Sequence, residues 1–159
     1  MKNLKSFLLL VCVSVFVSCS DATDEDLGLS GEGTFTAKVD GANFASLKAT
    51  VGASVASGTA SIQGSNAGGE YIRITLTNYN GTGTYKTGDA VTNASSIQYG
   101  TIDPVAAWVS TFNLGNGTIE VTEETSTTIT GTFSFTGINS SAGNSTKTVT
   151  EGKFSAPKL

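Results

Sequence analysis

The side chains here that can do chemistry are a thiol, a few aromatic rings and scattered carboxylates, and what is missing narrows the choice further. The 159 residues hold no histidine, two cysteines and a single arginine, Arg73. That removes imidazole acid–base chemistry, every triad built on histidine, and Cys/His zinc sites. Serine has neither a Gly-x-Ser-x-Gly turn nor a histidine base to activate it. Glycosidases set two carboxyls about 5 to 9.5 Å apart. The pairs to consider are Glu120 with Glu151 and Asp89 with Asp103, but Glu120 alternates with Ile119 and Val121 and so belongs on an exposed strand face. We therefore expect no catalytic residues, no cofactor and no metal. With 13 acids against 9 bases and no basic cluster, no nucleic-acid partner is expected, because phosphate binding needs grouped Lys and Arg.

Aromatic rings are the remaining candidates for recognition, since Trp and Tyr on a sheet face can stack on sugar rings. Trp108, Tyr79 and Tyr99 are the candidate ligand-binding residues, with Tyr71 and Tyr85 as further rings. Tyr79 lies between Asn78 and Asn80 in a turn and is expected to be the exposed one. For Trp108 the favoured reading is a core residue, because aromatic side chains dominate core energetics.

The thiol that matters is Cys19. Lys2 and Lys5 precede an apolar run of 11 residues, Phe7 to Val17, followed by Ser18 and Cys19. These are the parts of a signal peptide, and the run is short of the roughly 20 residues that span a bilayer. Phe16-Val17-Ser18-Cys19 resembles the lipobox of bacterial lipoproteins, although Phe16 replaces the usual leucine and Val17 is bulkier than the usual alanine or serine. The resemblance implies cleavage after Ser18, a diacylglyceryl group on the Cys19 thiol and usually an acyl chain on its amino group. Two or more acyl chains anchor firmly where one is marginal. Cys12 leaves with the signal, so an unlipidated Cys19 would be an unpaired thiol in an oxidising compartment.

Ser20 to Glu32 holds five acids and no base and reads as a tether. Asp21, Asp24, Glu25 and Asp26, directly after Cys19, resemble the surface-export signal of Bacteroidota lipoproteins; their spacing does not fit an EF-hand loop. The implied location is the outer membrane with the domain facing the exterior, and the alternative is the periplasmic face. Acidity is a property of this tether, since Gly33 to Leu159 holds eight acids and seven bases.

From Gly33 on, period-two alternation and turn signals predict strands throughout. Ile72, Ile74 and Leu76 point one way and Tyr71, Arg73, Thr75 and Thr77 the other. Asp40-Gly41, Asn80-Gly81 and Asn116-Gly117 predict turns. Phe44 to Val51 is expected as one strand, Trp108, Ser110 and Phe112 share a face, and a short helix at Pro104 to Val109 is the one alternative to strand. The expected organisation is a removed signal over 1–18, a lipidated acidic tether over 19–32 and one all-β domain over 33–159. That domain is expected to be a single antiparallel β-sandwich of about nine or ten short strands, the alternative being a closed or partly open, lipocalin-like barrel.

Phe35-Thr36-Ala37-Lys38-Val39-Asp40-Gly41, Gly83-Thr84-Tyr85, Ile129-Thr130-Gly131-Thr132-Phe133-Ser134-Phe135 and Glu151-Gly152-Lys153-Phe154 resemble a family of small Bacteroidota lipoproteins of unknown function. The resemblance implies fold and location, and no activity. The function expected is a non-catalytic surface module that binds a glycan, a peptide or an envelope protein. The alternative is a structural or assembly component of an outer-membrane complex.

Overall fold

The computed structural model describes residues 33–159, so Cys19 and the acidic residues Asp21, Asp24, Glu25 and Asp26 lie outside the described residues. Eleven strands follow in chain order: β1 (Thr34–Val39), β2 (Ala42–Ala45), β3 (Gly52–Ala56), β4 (Thr59–Ser65), β5 (Tyr71–Thr77), β6 (Gly83–Thr87), β7 (Ser96–Ile102), β8 (Val105–Thr111), β9 (Asn116–Glu124), β10 (Thr128–Asn139) and β11 (Ser145–Pro157). Two single 3-10 turns, Lys48–Thr50 and Ser140–Ala142, are the only helical pieces among the described residues. The domain is thus all-β and antiparallel, its strands joined in one sheet that curls into a half-barrel.

The long hairpin β10–β11 organises it. β10 pairs with β11 along its whole length, while its other edge changes partner: Ile129 to Thr136 face β9, and Ile138 faces Val109 of β8. β11 likewise lies beside β1 from Val149 to Ser155, and Lys158 just beyond its end bridges Ala53 of β3. Two wings result. One carries β6 and β9 on one side of the hairpin and β1 and β2 on the other. The second runs β8, β7, β5, β4, β3 and curls until the Leu159 amide donates to the Ala53 carbonyl, at 2.9 Å.

Alternation explains the burial. Ile72, Ile74, Leu76, Ile119, Val121, Ile129, Phe133 and Phe135 all point into one core, and Phe35, Phe133 and Phe154 meet there with ring centroids 5.0 to 6.3 Å apart. A bulge in β11 shapes the centre: Glu151 takes φ +53°, and Gly152 lies against the Phe133 ring and carbonyl, where any Cβ would stand about 2.5 Å away. The strand bends at this bulge and continues unbroken from Ser145 to Pro157.

Other sequence expectations are corrected by the packing. Phe44 to Val51 is not one strand, because β2 stops at Ala45 and a 3-10 turn intervenes; β3, built from small residues, pairs with β4 across a Ser57-Gly58 turn whose φ values are +50° and +73°. Pro104 to Val109 is not helical, since β8 starts at Val105. The turn expected at Asn116-Gly117 sits earlier, with Phe112 at φ +49° and Gly115 at φ +69°, and Gly117 is a buried strand residue pressed against Thr87 and Phe135. Phe112 therefore leaves the strand and is exposed, whereas Ser110 is fully buried and hydrogen-bonds Thr87 at 2.6 Å.

Phe35 touches three other phenylalanines at the junction of the two wings. Replacing it by alanine is expected to cost about 3–5 kcal/mol in urea unfolding. A loss below about 1 kcal/mol would show that the wings do not depend on this cluster.

Candidate functional site

The three rings singled out from the sequence occupy different settings. Tyr79 is a correction: it is 8% exposed, stacks on Tyr85 with centroids 5.4 Å apart, and donates its hydroxyl to Glu124 Oε2 at 2.8 Å. Tyr99 is 4% exposed and donates to Glu70 Oε1 at 2.5 Å. Neither face of these two rings is free to take a ligand. Trp108, in register with Tyr99, is half-buried against the core; its indole N–H donates to Ser145 Oγ at 3.1 Å, and Lys147 Nζ lies 5.5 Å from its ring centroid.

Tyr79 and Tyr99 serve the same physical purpose. Each phenol is buried and tied to a glutamate: Tyr79, just after β5, to Glu124 at the end of β9, and Tyr99, in the middle of β7, to Glu70 in the β4–β5 turn, where Asn66 Nδ2 also donates to Oε2 at 2.6 Å. Burial, then the adjacent carboxylate, push both tyrosines above their ordinary value of 10.0. Hydrogen bonds from Lys158 and Tyr79 hold Glu124 below its usual value, and Lys147 and the Thr148 amide do the same for Asp40.

Two grooves open on the outer face of the sheet. The larger, about 640 Å³, crosses β1, β2, β9, β10 and β11 and brings Glu120 and Glu151 into one depression with Lys38 and Lys153. Its charges compensate each other: Lys38 pairs with Glu151 at 2.8 Å, and Lys153 lies one strand from Thr132, which itself faces Glu120. Both carboxylates are solvent-exposed, without the burial that makes a carboxyl a general acid. Asp89 is held by Asn93 Nδ2 at 2.7 Å and Asp103 lies in the β7–β8 connection, so the structure gives that pair no shared site.

The second groove, about 590 Å³, lies over β3, β4, β5 and the end of β7. Here the outward residues of β5 noted in the sequence come into use. Arg73 faces Gln63 of β4 on one side and Gln98 of β7 on the other, one lateral row across three strands. Two residues along, Tyr71 stands opposite Gly100, and its ring lies flat on that glycine: a Cβ there would stand 2.5 Å from Tyr71 Oη and 2.6 Å from Cε1. Gln98 Nε2 donates to Tyr71 Oη at 2.6 Å and fixes the phenol. Ile102, 63% exposed, forms one wall over Gly69, and Arg73 is the only charged side chain in the lining. No described carboxylate pairs with it.

This groove therefore joins a positioned aromatic platform, a guanidinium with no described carboxylate partner and the Gln63 carboxamide, with Gln98 beside its rim, all on paired strands. Sequence reading named Tyr71 and Arg73 as outward-facing but did not link them to Gln63 and Gln98. The missing information was cross-strand register, and its one visible signal was Gly100 inside a strand. Among the described residues no group of three His, Cys, Asp or Glu side chains stands together to hold a metal.

The model of a family described as a domain of unknown function matches residues 31–156. No curated protein and no solved structure matches the chain.

The two tyrosine clamps set an alkaline limit. A raised folded-state pKa contributes stability that is complete below pH 10 and is lost as pH climbs beyond it, because the unfolded chain releases its phenolic protons first. Stability should fall by about 1.4 kcal/mol per pH unit for each clamp above pH 10. Removing one phenol, as in Tyr99→Phe, should flatten that slope; an unchanged slope in denaturant melts across this range would contradict the clamp.

Proposed function

We propose that this chain, which belongs to the DUF6252 family of domains of unknown function, is a non-catalytic binding module of a bacterial cell envelope that takes its ligand in the Tyr71–Arg73 groove. One observation carries the reading. Tyr71 is laid over Gly100 and pinned by Gln98 on the outer face of the sheet, a solvent-facing ring held in place without core duties. Core aromatics such as Phe35 need no such device, since packing fixes them from all sides. Sheets hold a binding group more precisely than loops do.

Display on the envelope rests on the sequence. The charged start, the 11-residue apolar run and the lipobox-like Phe16-Val17-Ser18-Cys19 favour acylation of Cys19 and membrane attachment. Asp21, Asp24, Glu25 and Asp26 favour outward display, as in lipoproteins of Bacteroidota, with the periplasmic face of the outer membrane as the alternative. The tether enters the domain at Gly33, packed against Val51 and Pro157, and Val51 also lines the groove. The ligand classes are a glycan, a peptide or an envelope protein, and no nucleic acid is among them.

A structural or assembly role is the second reading, favoured by β6. Its pairing partner among the described strands is β9 alone, leaving an edge able to add a strand from another chain. Cross-linking on whole cells separates the two, because an assembly component is recovered mainly with one stoichiometric neighbour.

Three variants test the main reading on the full chain. Cys19→Ala should leave the membrane fraction, and the wild-type protein should yield an acylated amino-terminal peptide by mass spectrometry; unchanged fractionation without acylation overturns the anchor. Tyr71→Ala should abolish binding on glycan and peptide arrays with an unchanged circular dichroism spectrum, whereas Trp108→Ala should retain it. Saturable binding that survives Tyr71→Ala overturns the groove.

A further inference from the structure

The charge of the second groove narrows what it takes. In a chain of net charge -4, Arg73 stands as the sole charged side chain of that depression, exposed on β5 and without a described carboxylate partner. Elsewhere in the domain Lys38, Lys147 and Lys158 are each committed to an acid at 2.6 to 2.8 Å. A guanidinium presents two parallel N–H groups that match a carboxylate, a geometry lysine does not offer.

Its neighbours supply the rest of a subsite. Gln63 and Gln98 flank Arg73 in the same lateral row, about 4.8 Å away on either side as strand spacing sets it. A carboxamide both donates and accepts, so it can engage adjacent hydroxyl groups of a sugar. Gln98 gives one of its donors to Tyr71, which leaves its carbonyl and second N–H for such use. Tyr71 sits two residues along β5, about 6.8 Å away, and offers a ring face to the apolar side of a pyranose.

Resting on the binding-module reading above, we propose that this groove is a subsite for a carboxylated saccharide, with Arg73 taking the carboxylate, Gln63 and Gln98 the hydroxyls, and Tyr71 the ring. A peptide held by strand addition is disfavoured here, because Gln63, Tyr71 and Arg73 lie on strands paired on both sides and present side chains, with no free backbone edge.

The test compares acids with their own neutral esters. The full chain is applied to an array of uronate- and sialate-terminated oligosaccharides printed beside their methyl esters, and hits are titrated calorimetrically. The acid form should bind at least about fivefold tighter than its ester, the scale of one charge-assisted contact at a partly exposed site. Arg73→Gln should erase that preference, so that acid and ester bind alike, Arg73→Lys should keep only part of it, and Tyr71→Ala should remove binding of both. Equal binding of acid and ester, or a preference that survives Arg73→Gln, overturns the carboxylate assignment and leaves the binding module standing. Binding of neutral glycans or peptides alone, lost in Tyr71→Ala, has that same meaning. Absence of any saturable ligand overturns both readings together.

Discussion

The pairing of β10 with β11 is the constraint on which the rest of the domain depends. Twelve and thirteen residues long, these strands exceed every other strand; β10 changes its outer partner from β9 to β8 part way along, and the chain just beyond β11 crosses from β1 to a bridge with β3. A regular, straight hairpin would carry one flat sheet. The bulge at Glu151 and Gly152 adds local twist and bend opposite Phe133, a few residues before β10 passes from β9 to β8. Two wings therefore diverge from one ladder and close over a shared core of Phe35, Phe133, Phe154 and the isoleucines of β4, β5 and β7.

Wing geometry then decides which surface is available for recognition. The inner faces are consumed by the core, which also takes in the two tyrosines tied to glutamates. Trp108, whose chemistry invites a stacking role, is drawn half into the core beside Tyr99, with its N–H and one face already engaged by Ser145 and Lys147. What remains is the outer face. On the first wing it is a mosaic of hydroxyls and compensating charges. On the second, Gly100 lets Tyr71 lie down in a fixed place beside an arginine with no carboxylate partner among the described residues. A rigid ring loses little conformational entropy on binding, which is the physical advantage of fixing it beforehand.

Much of this was legible in the chain. Alternation in Tyr71 to Thr77, and of Glu120 with Ile119 and Val121, assigned inward and outward residues as they are found, because period two is an intrinsic property of strands. Asp40-Gly41 turned as expected, with φ values of +48° and +85°. Asn116-Gly117 did not, since the glycine is required for close packing against Thr87 and Phe135 and not for a turn. Local chemistry is the same in both cases; tertiary contacts decide between them. Tyr79 looked exposed for its turn-forming neighbours, yet Glu124, 45 residues away, provides the acceptor that allows its burial. The groove was hidden for the same reason: Tyr71 and Gly100 are brought together only by the register of β5 on β7.

Amide chemical-shift mapping of the full chain during titration with a binding saccharide tests the assignment of the groove most directly. Shifts confined to Gln63, Tyr71, Arg73, Gln98 and their immediate strand neighbours are the predicted result. Shifts centred instead on Trp108 and Ser145, or on Glu120, Glu151 and Lys153 across the opposite wing, would contradict it.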